Sequence, residues 1–229
     1  MGAVSRFRLC RSSDLARLFF GAASRTRVAQ RLRSLFGAGY LDVRVEHLAE
    51  ENLHSLGELG RAWARAQGLT IGRVPSGRIG HHLDVVRAWS TLAAVLGPHN
   101  QIRLARVRPD WELREAGGHL VVPDLLVELS AAGKRLVVAV EVDRGTERTR
   151  AWQDKLARYS AVHADREALL VVIAAPSVVP ALERLAKRAW LGRVLVVAEA
   201  DWPELFIRRA EALLTDPSCS KKGEEAASA

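Results

Sequence analysis

The stretch PDLLVELSAAGKRLVVAVEVD, from Pro123 to Asp143, decides how the second half of the chain folds. Two strand-length apolar runs flank the small residues Ala131, Ala132 and Gly133. A two-residue turn at Ala132-Gly133 joins such runs as a β-hairpin. It pairs Ala131 with Lys134 and, counting outward, Asp124 with Glu141. Directly opposed residues point to the same face of a sheet. Strand side chains alternate, so Asp143 shares that face with Glu141. Three carboxylates therefore converge at one strand end, provided the turn is placed correctly; a one-residue slip sends Asp124 to the other face. Opposed like charges beside apolar strands cost free energy unless something compensates them. A cation, a shared proton or a nearby Lys or Arg would do so.

Hard oxygen ligands in a small cluster suit Mg2+ or Mn2+. The next segment, 146–163, reads as a helix in which Trp152, Lys155, Leu156, Tyr159 and Val162 follow helical spacing. That spacing puts Lys155 near the inward face. It either snorkels outward over an apolar helix or reaches the carboxylates, where it orients a water or stabilises charge on a phosphate. Asp124, Glu141, Asp143 and Lys155 are thus the candidate catalytic set. Arg144 and Glu147 flank it, and Asp84 is a further acid on the helix expected over 81–97, before the sheet. His81 and His82 are adjacent and cannot share a helix face, which favours capping or solvent roles. His47, His54, His99, His119 and His163 lack metal-ligand spacing.

Around this hairpin the pattern predicts a strand over 102–113, strands over 119–129 and 134–143, and the helix 146–163. A buried strand over 168–175, a helix over 178–190, a strand over 193–200 and a helix over 202–214 follow. The order describes an α/β fold, a mixed sheet flanked by helices. The Gly/Pro/Ser-rich stretch LTIGRVPSGRIG marks a boundary near residues 68–80. The division expected is an N-terminal domain over 1–75, an α/β domain over 76–214 and a disordered tail over 215–229, which is small, polar and low in complexity.

The N-terminal part is where the charge lies. The chain of 229 residues carries a formal net charge of +8. Residues 1–41 hold eight arginines against one acid, Asp14. Such a concentration is the electrostatic footprint of a nucleic-acid contact, or a solvated face that happens to use Arg. A short helix over 12–20, capped by Ser12 or Ser13, precedes a helix capped by Ser24, SRTRVAQRLRSLF. In the second helix Val28, Leu32 and Leu35 form the core stripe, while Arg25, Arg27, Gln30, Arg31 and Arg33 lie on the other faces. Short strands in YLDVRVEHL follow, and 53–68 reads as another amphipathic helix with Leu56, Leu59 and Trp63 on one side. Helix, turn, basic helix and β-wing is the order of a winged helix-turn-helix, whose second helix enters the major groove of double-stranded DNA. A helical hairpin with an Arg-rich exterior has the same pattern, and no first helix is obvious before Arg11.

Cys10 and Cys219 sit near opposite ends and form no motif, which suggests a reducing, cytoplasmic compartment and no disulfide framework. No apolar run is long enough to span a membrane, and no signal peptide is visible. A Walker-type phosphate loop, a G-x-S-x-G elbow and a C-x-x-C pair are all missing from the chain.

Pro123-Asp124 followed by Glu141-Val142-Asp143 resembles the core of the PD-(D/E)xK nuclease superfamily. More narrowly, PDLLVEL followed by VEVDRGTE and a helix carrying KLARY resembles the replication-relaxation family of bacterial plasmid and mobile-element proteins. The resemblance covers about residues 10–200. It implies a winged helix followed by a restriction-endonuclease-like fold, with Asp124 and Glu141 as metal-binding acids. Asp143 departs from it, standing where the usual motif has lysine; Lys155 is the candidate replacement. Lys155 and Tyr159 are similar to the Q-x-x-x-Y pair of some superfamily nucleases, with Lys in place of Gln.

Three functions follow as expectations. The first is a DNA-binding protein of a plasmid or mobile element that cuts or nicks DNA with Mg2+ or Mn2+. The second keeps the fold without the chemistry, as an accessory factor of replication or mobilisation. The third is a winged-helix transcription regulator with a sensing or dimerising second domain. Expected partners are double-stranded DNA, a second copy of the chain, or plasmid replication and mobilisation proteins; no membrane partner is expected.

Overall fold

In the computed structural model the turn Ala132-Gly133 has φ of 48° and 80°, both in the left-handed region. That is the requirement of the tight hairpin turn that matches strand twist. Strand β5 (Leu125–Ala131) accordingly pairs with β6 (Lys134–Asp143) from Ala131↔Lys134 to Leu125↔Val140. The register expected from the sequence is the one observed. The structure describes residues 2–21, 24–45, 51–97, 101–163, 168–189 and 193–215. The expected disordered tail beyond Thr215, residues 46–48 of the wing segment, Cys219, His47 and His99 lie outside the described residues, as does the side chain of His163.

The described residues form two units that divide between Ala94 and Val95. In the second unit, β4 (Arg103–Pro109), β5 and β6 run antiparallel, and β7 (Ala168–Ala174) and β8 (Val194–Ala198) continue parallel to β6. The five-stranded order is β4-β5-β6-β7-β8. Helix α7 (Thr149–His163) crosses from β6 to β7, and α8 (Val179–Ala189) from β7 to β8. Trp152, Leu156 and Tyr159 of α7 pack with Leu182 and Ala186 of α8 over Ala139, Leu170 and Val172. Helix α9 (Trp202–Thr215) turns Trp202, Phe206, Ala210 and Leu214 inward and packs against β5, β6 and β8. Every residue of β7 is buried, as a parallel strand covered on both faces requires. The α/β class with a mixed sheet is as expected. The strand expected over 102–113 instead stops at Pro109 and becomes helix α6 (Asp110–Ala116). Proline donates no ladder hydrogen bond, which ends the strand and suits a helix start. Residues 119–124, expected as strand, precede the ladder.

The first unit runs α1 (Gly2–Phe7), β1 (Cys10–Arg11), α2 (Ser12–Phe19), α3 (Arg25–Gly37), β2 (Leu41–Arg44), β3 (Leu53–Leu56), α4 (Glu58–Ala66) and the main part of α5 (Ile79–Leu96). Its three-stranded sheet is antiparallel in the order β1-β3-β2. Helix α1, not foreseen, has six residues, too few for a periodic signal. It is held by tertiary contact: Phe7 is fully buried and its ring stacks on Trp89 at 4.0 Å. The segment 53–68, expected as one helix, opens as strand β3, because Leu53 and Leu56 find partners in β1 and β2. Gly57 separates strand from helix; a Cβ there would collide with the Gly39 carbonyl. Leu59, expected in the core, is exposed.

Helix α2 is capped differently from expectation. Its N-cap is Arg11, whose backbone N–H donates to Asp14 at 3.1 Å. Ser12 instead contacts His54 Nε2 at 2.9 Å. Asp14 is fully buried and also accepts from Arg17 (3.2 Å) and Ser90 (3.1 Å). Helix α5, expected to open the α/β domain, is tied to the first unit by these bonds. Ile79 and Leu83 of α5 pack with Leu9 and Leu53. Asp84 lies 3.5 Å from Arg11 in this unit, and His82 Nε2 contacts the Phe7 carbonyl at 2.6 Å. Among the described residues no helix is long and apolar enough to cross a membrane.

Candidate functional site: an acid cluster and an arginine helix

The end of β6 carries the acids onto the face covered by α7. Asp124 Oδ2 accepts the backbone N–H of Val142 at 2.8 Å, which fastens the start of β5 to the end of β6. Glu141 is buried, only 4 % exposed. Tyr159 donates its hydroxyl to Glu141 Oε1 at 2.6 Å, and Lys155 Nζ lies 3.2 Å from Oε2. Lys155 also reaches Glu147 at 2.9 Å and sits 4.6 Å from the centre of the Trp152 ring. Asp143 is buried too; Trp152 Nε1–H donates to one of its oxygens and the Gly145 N–H to the other, each at 2.8 Å.

Helical spacing builds this arrangement. Trp152, Lys155 and Tyr159 stand three and four residues apart, so they share one face of α7. Period-two alternation puts Glu141 and Asp143 on the facing surface of β6. Lys155 was expected either to snorkel or to reach the carboxylates, and it reaches them. Glu147 joins through Lys155. Trp152 as the donor to Asp143 was not anticipated; its position on the Lys155–Tyr159 face was the available signal.

The electrostatics follow from burial. Burial, and then the charge of Asp124, push the Glu141 carboxyl up from 4.5 to about 7, against the opposing pull of Lys155 and the Tyr159 hydrogen bond. For Lys155, burial alone pulls the ammonium down. The charge of Glu141 and the charge and hydrogen bond of Glu147 outweigh it and leave Lys155 above its ordinary value. Burial and the neighbouring Glu141 charge raise the Tyr159 phenol, so it remains a donor.

Magnesium or manganese was expected at Asp124 and Glu141. Of that pair, Asp124 Oδ2 accepts the Val142 N–H. Both oxygens of Asp143 and both of Glu141 already accept from protein donors, and an ammonium lies among the acids. Among the described residues no group of three or more His, Cys, Asp or Glu side chains is arranged to hold a metal.

In the first unit, α3 begins at Ser24, whose side chain accepts from the Arg27 N–H at 3.4 Å. Val28 and Leu32 are buried and Leu35 is half-buried, while Arg25, Arg27, Gln30, Arg31 and Arg33 are all exposed. None of these four arginines is paired with an acid among the described residues. The helix thus presents four guanidinium groups and an amide on its open faces.

The family model described as replication-relaxation matches residues 1–169. No curated protein and no solved structure matches the chain at a significant level. The family match takes in the whole first unit, the hairpin with its acids, and all of α7, and on that extent the chain belongs to the replication-relaxation family.

Proposed function

We propose that this protein binds double-stranded DNA and serves the replication or mobilisation of a plasmid or mobile element as an accessory factor. In this reading α3 enters the major groove, and the second unit is a nuclease-like scaffold whose acids are closed by its own side chains. The observation that carries the proposal is the exposed set Arg25, Arg27, Gln30, Arg31 and Arg33 on one capped helix. Exposed arginines make phosphate contacts and bidentate contacts to guanine, and Gln pairs with adenine. The order α1-β1-α2-α3-β2-β3, with α3 followed by a β-hairpin, supports a winged helix-turn-helix. For the second unit, Lys155, Tyr159 and Trp152 hold the acids as structural groups, which favours the accessory role over cleavage.

A second reading, Mg2+- or Mn2+-dependent cutting, is favoured by one observation: Asp124, bonded to the Val142 N–H at the end of β6, lies close enough to oppose ionisation of Glu141. One experiment separates the two. Duplex binding by fluorescence anisotropy is followed across a salt series in chelator, and supercoiled plasmid is then incubated with Mn2+. The accessory reading expects salt-sensitive binding and no nicking. Arg27→Ala with Arg31→Ala then lowers affinity and flattens the slope of log K against log salt by about 0.9 for each phosphate the variant no longer neutralises. Unchanged affinity and slope would remove α3 as the DNA-reading helix. Nicking that disappears in Glu141→Ala would install the cutting reading instead.

A further inference from the structure

The first unit contains a second concentration of arginine, away from α3 in sequence and built from different elements. A cavity of about 880 Å3 is lined by Arg8, Arg44, Arg61, Arg65 and Arg73, with Asp42 as the acid in its wall. These come from the α1–β1 junction, β2, α4 and the segment before α5, so the fold and not a run of sequence gathers them. Asp42 is engaged by Arg61 at 3.2 Å, and Arg61 also donates to the Leu56 carbonyl. Arg65 and Arg73 are exposed and pair with no acid among the described residues. Leu9, Ile71 and Val74 supply apolar wall.

We infer that this cavity is a binding site for a small ligand carrying clustered phosphate groups. With Arg61 engaged by Asp42, Arg65 and Arg73 bring to this wall two guanidinium charges that pair with no acid among the described residues, and low-dielectric walls focus their potential. Guanidinium forks match phosphate oxygens bidentately, so converging arginines select a polyphosphate over a single weak anion. The volume is that of a small-molecule site. Two local features fit Arg8 to this use. Its backbone takes φ of 62° without being glycine, a conformation that persists only where the surroundings enforce it. Its guanidinium also lies so close over Gly72 that a Cβ there would overlap it, so Gly72 is what lets the side chain lie along the cavity wall.

The inference does not rest on the α3 reading, and its test keeps the two apart. Inorganic triphosphate is titrated by calorimetry into the full chain, the Arg65→Ala/Arg73→Ala variant and the Arg27→Ala/Arg31→Ala variant. Both pairs are exposed, so circular dichroism should show intact folds. Saturable binding is expected in the wild type, at least about tenfold weaker in the cavity variant, because two guanidinium donors to phosphate are removed. The α3 variant should bind triphosphate as the wild type does. Two further ligands distinguish the source of the phosphates: ATP, and a short single strand with or without a 5′-phosphate. Binding of ATP but neither strand identifies a free nucleotide; binding of the strand only when phosphorylated identifies a strand end. No saturable binding of triphosphate, or an equal loss in both variants, would overturn the site.

Discussion

Replacing Glu141 with Gln should remove a pH dependence of stability that the wild type carries. Glu141 titrates near 7 in the fold against 4.5 in the unfolded chain. A carboxyl raised in this way binds a proton in the folded state that the unfolded state has released. Its contribution is therefore fully present below the unfolded pKa and is lost as pH rises through the folded one. At about 1.4 kcal/mol per pH unit the loss is roughly 3 kcal/mol in all, most of it between about pH 5 and 8. Because Glu141 is only 4 % exposed, solvent screening takes little from this figure. The charged groups facing it are Asp124 and Lys155, with the Tyr159 hydroxyl. Gln still accepts the Tyr159 hydrogen bond, but its amide meets the Lys155 ammonium, a cost that is constant over this range. The difference in slope, not the absolute stability, is thus the quantity to read. Urea unfolding followed by tryptophan fluorescence at four pH values, wild type against Glu141→Gln, isolates it from every other titrating group. Equal losses in the two proteins would refute the assignment of Glu141 as a neutralised, burial-shifted acid. Asp124→Asn should shrink the wild-type slope in the same assay, since it removes the like charge.

Trp152→Phe deletes the N–H that serves buried Asp143; the second unit should lose about 2–4 kcal/mol by urea unfolding, a cost characteristic of a buried carboxylate deprived of its donor. Asp14→Ala removes one acceptor from Arg11, Arg17 and Ser90 together. With Arg17 still partly open to water, the first unit should lose about 2–3 kcal/mol, seen as a lower urea midpoint. Ala132→Asn should raise the thermal midpoint, because Ala132 holds a positive φ that Asn adopts at about 1 kcal/mol less cost; an unchanged or lower midpoint would count against the turn geometry.

What the sequence determined by itself was whatever depends on local periodicity. The two-residue Ala132-Gly133 turn between the strand-length runs 125–131 and 134–143 specified the register, because turn length fixes which residues stand opposite each other. Register and periodicity placed Asp124, Glu141 and Asp143 on one face and Trp152, Lys155 and Tyr159 on one helical stripe. The capped α3 was legible in the same way, from its apolar spacing and its arginines. Short elements were not. Six residues of α1, four of β3 and seven of α6 carry too little pattern to outweigh what they pack against. Leu53 to Leu56 is strand because β1 and β2 flank it. Helix α5 belongs to the first unit because Phe7, Arg11 and Asp14 hold it there, through contacts more than seventy residues apart in sequence. The state of the acids was likewise beyond local reading. Whether a cation, a proton or a lysine compensates three carboxylates depends on which donors the tertiary fold presses against them. Here they are the Lys155 ammonium, the Tyr159 hydroxyl and the Trp152 ring N–H.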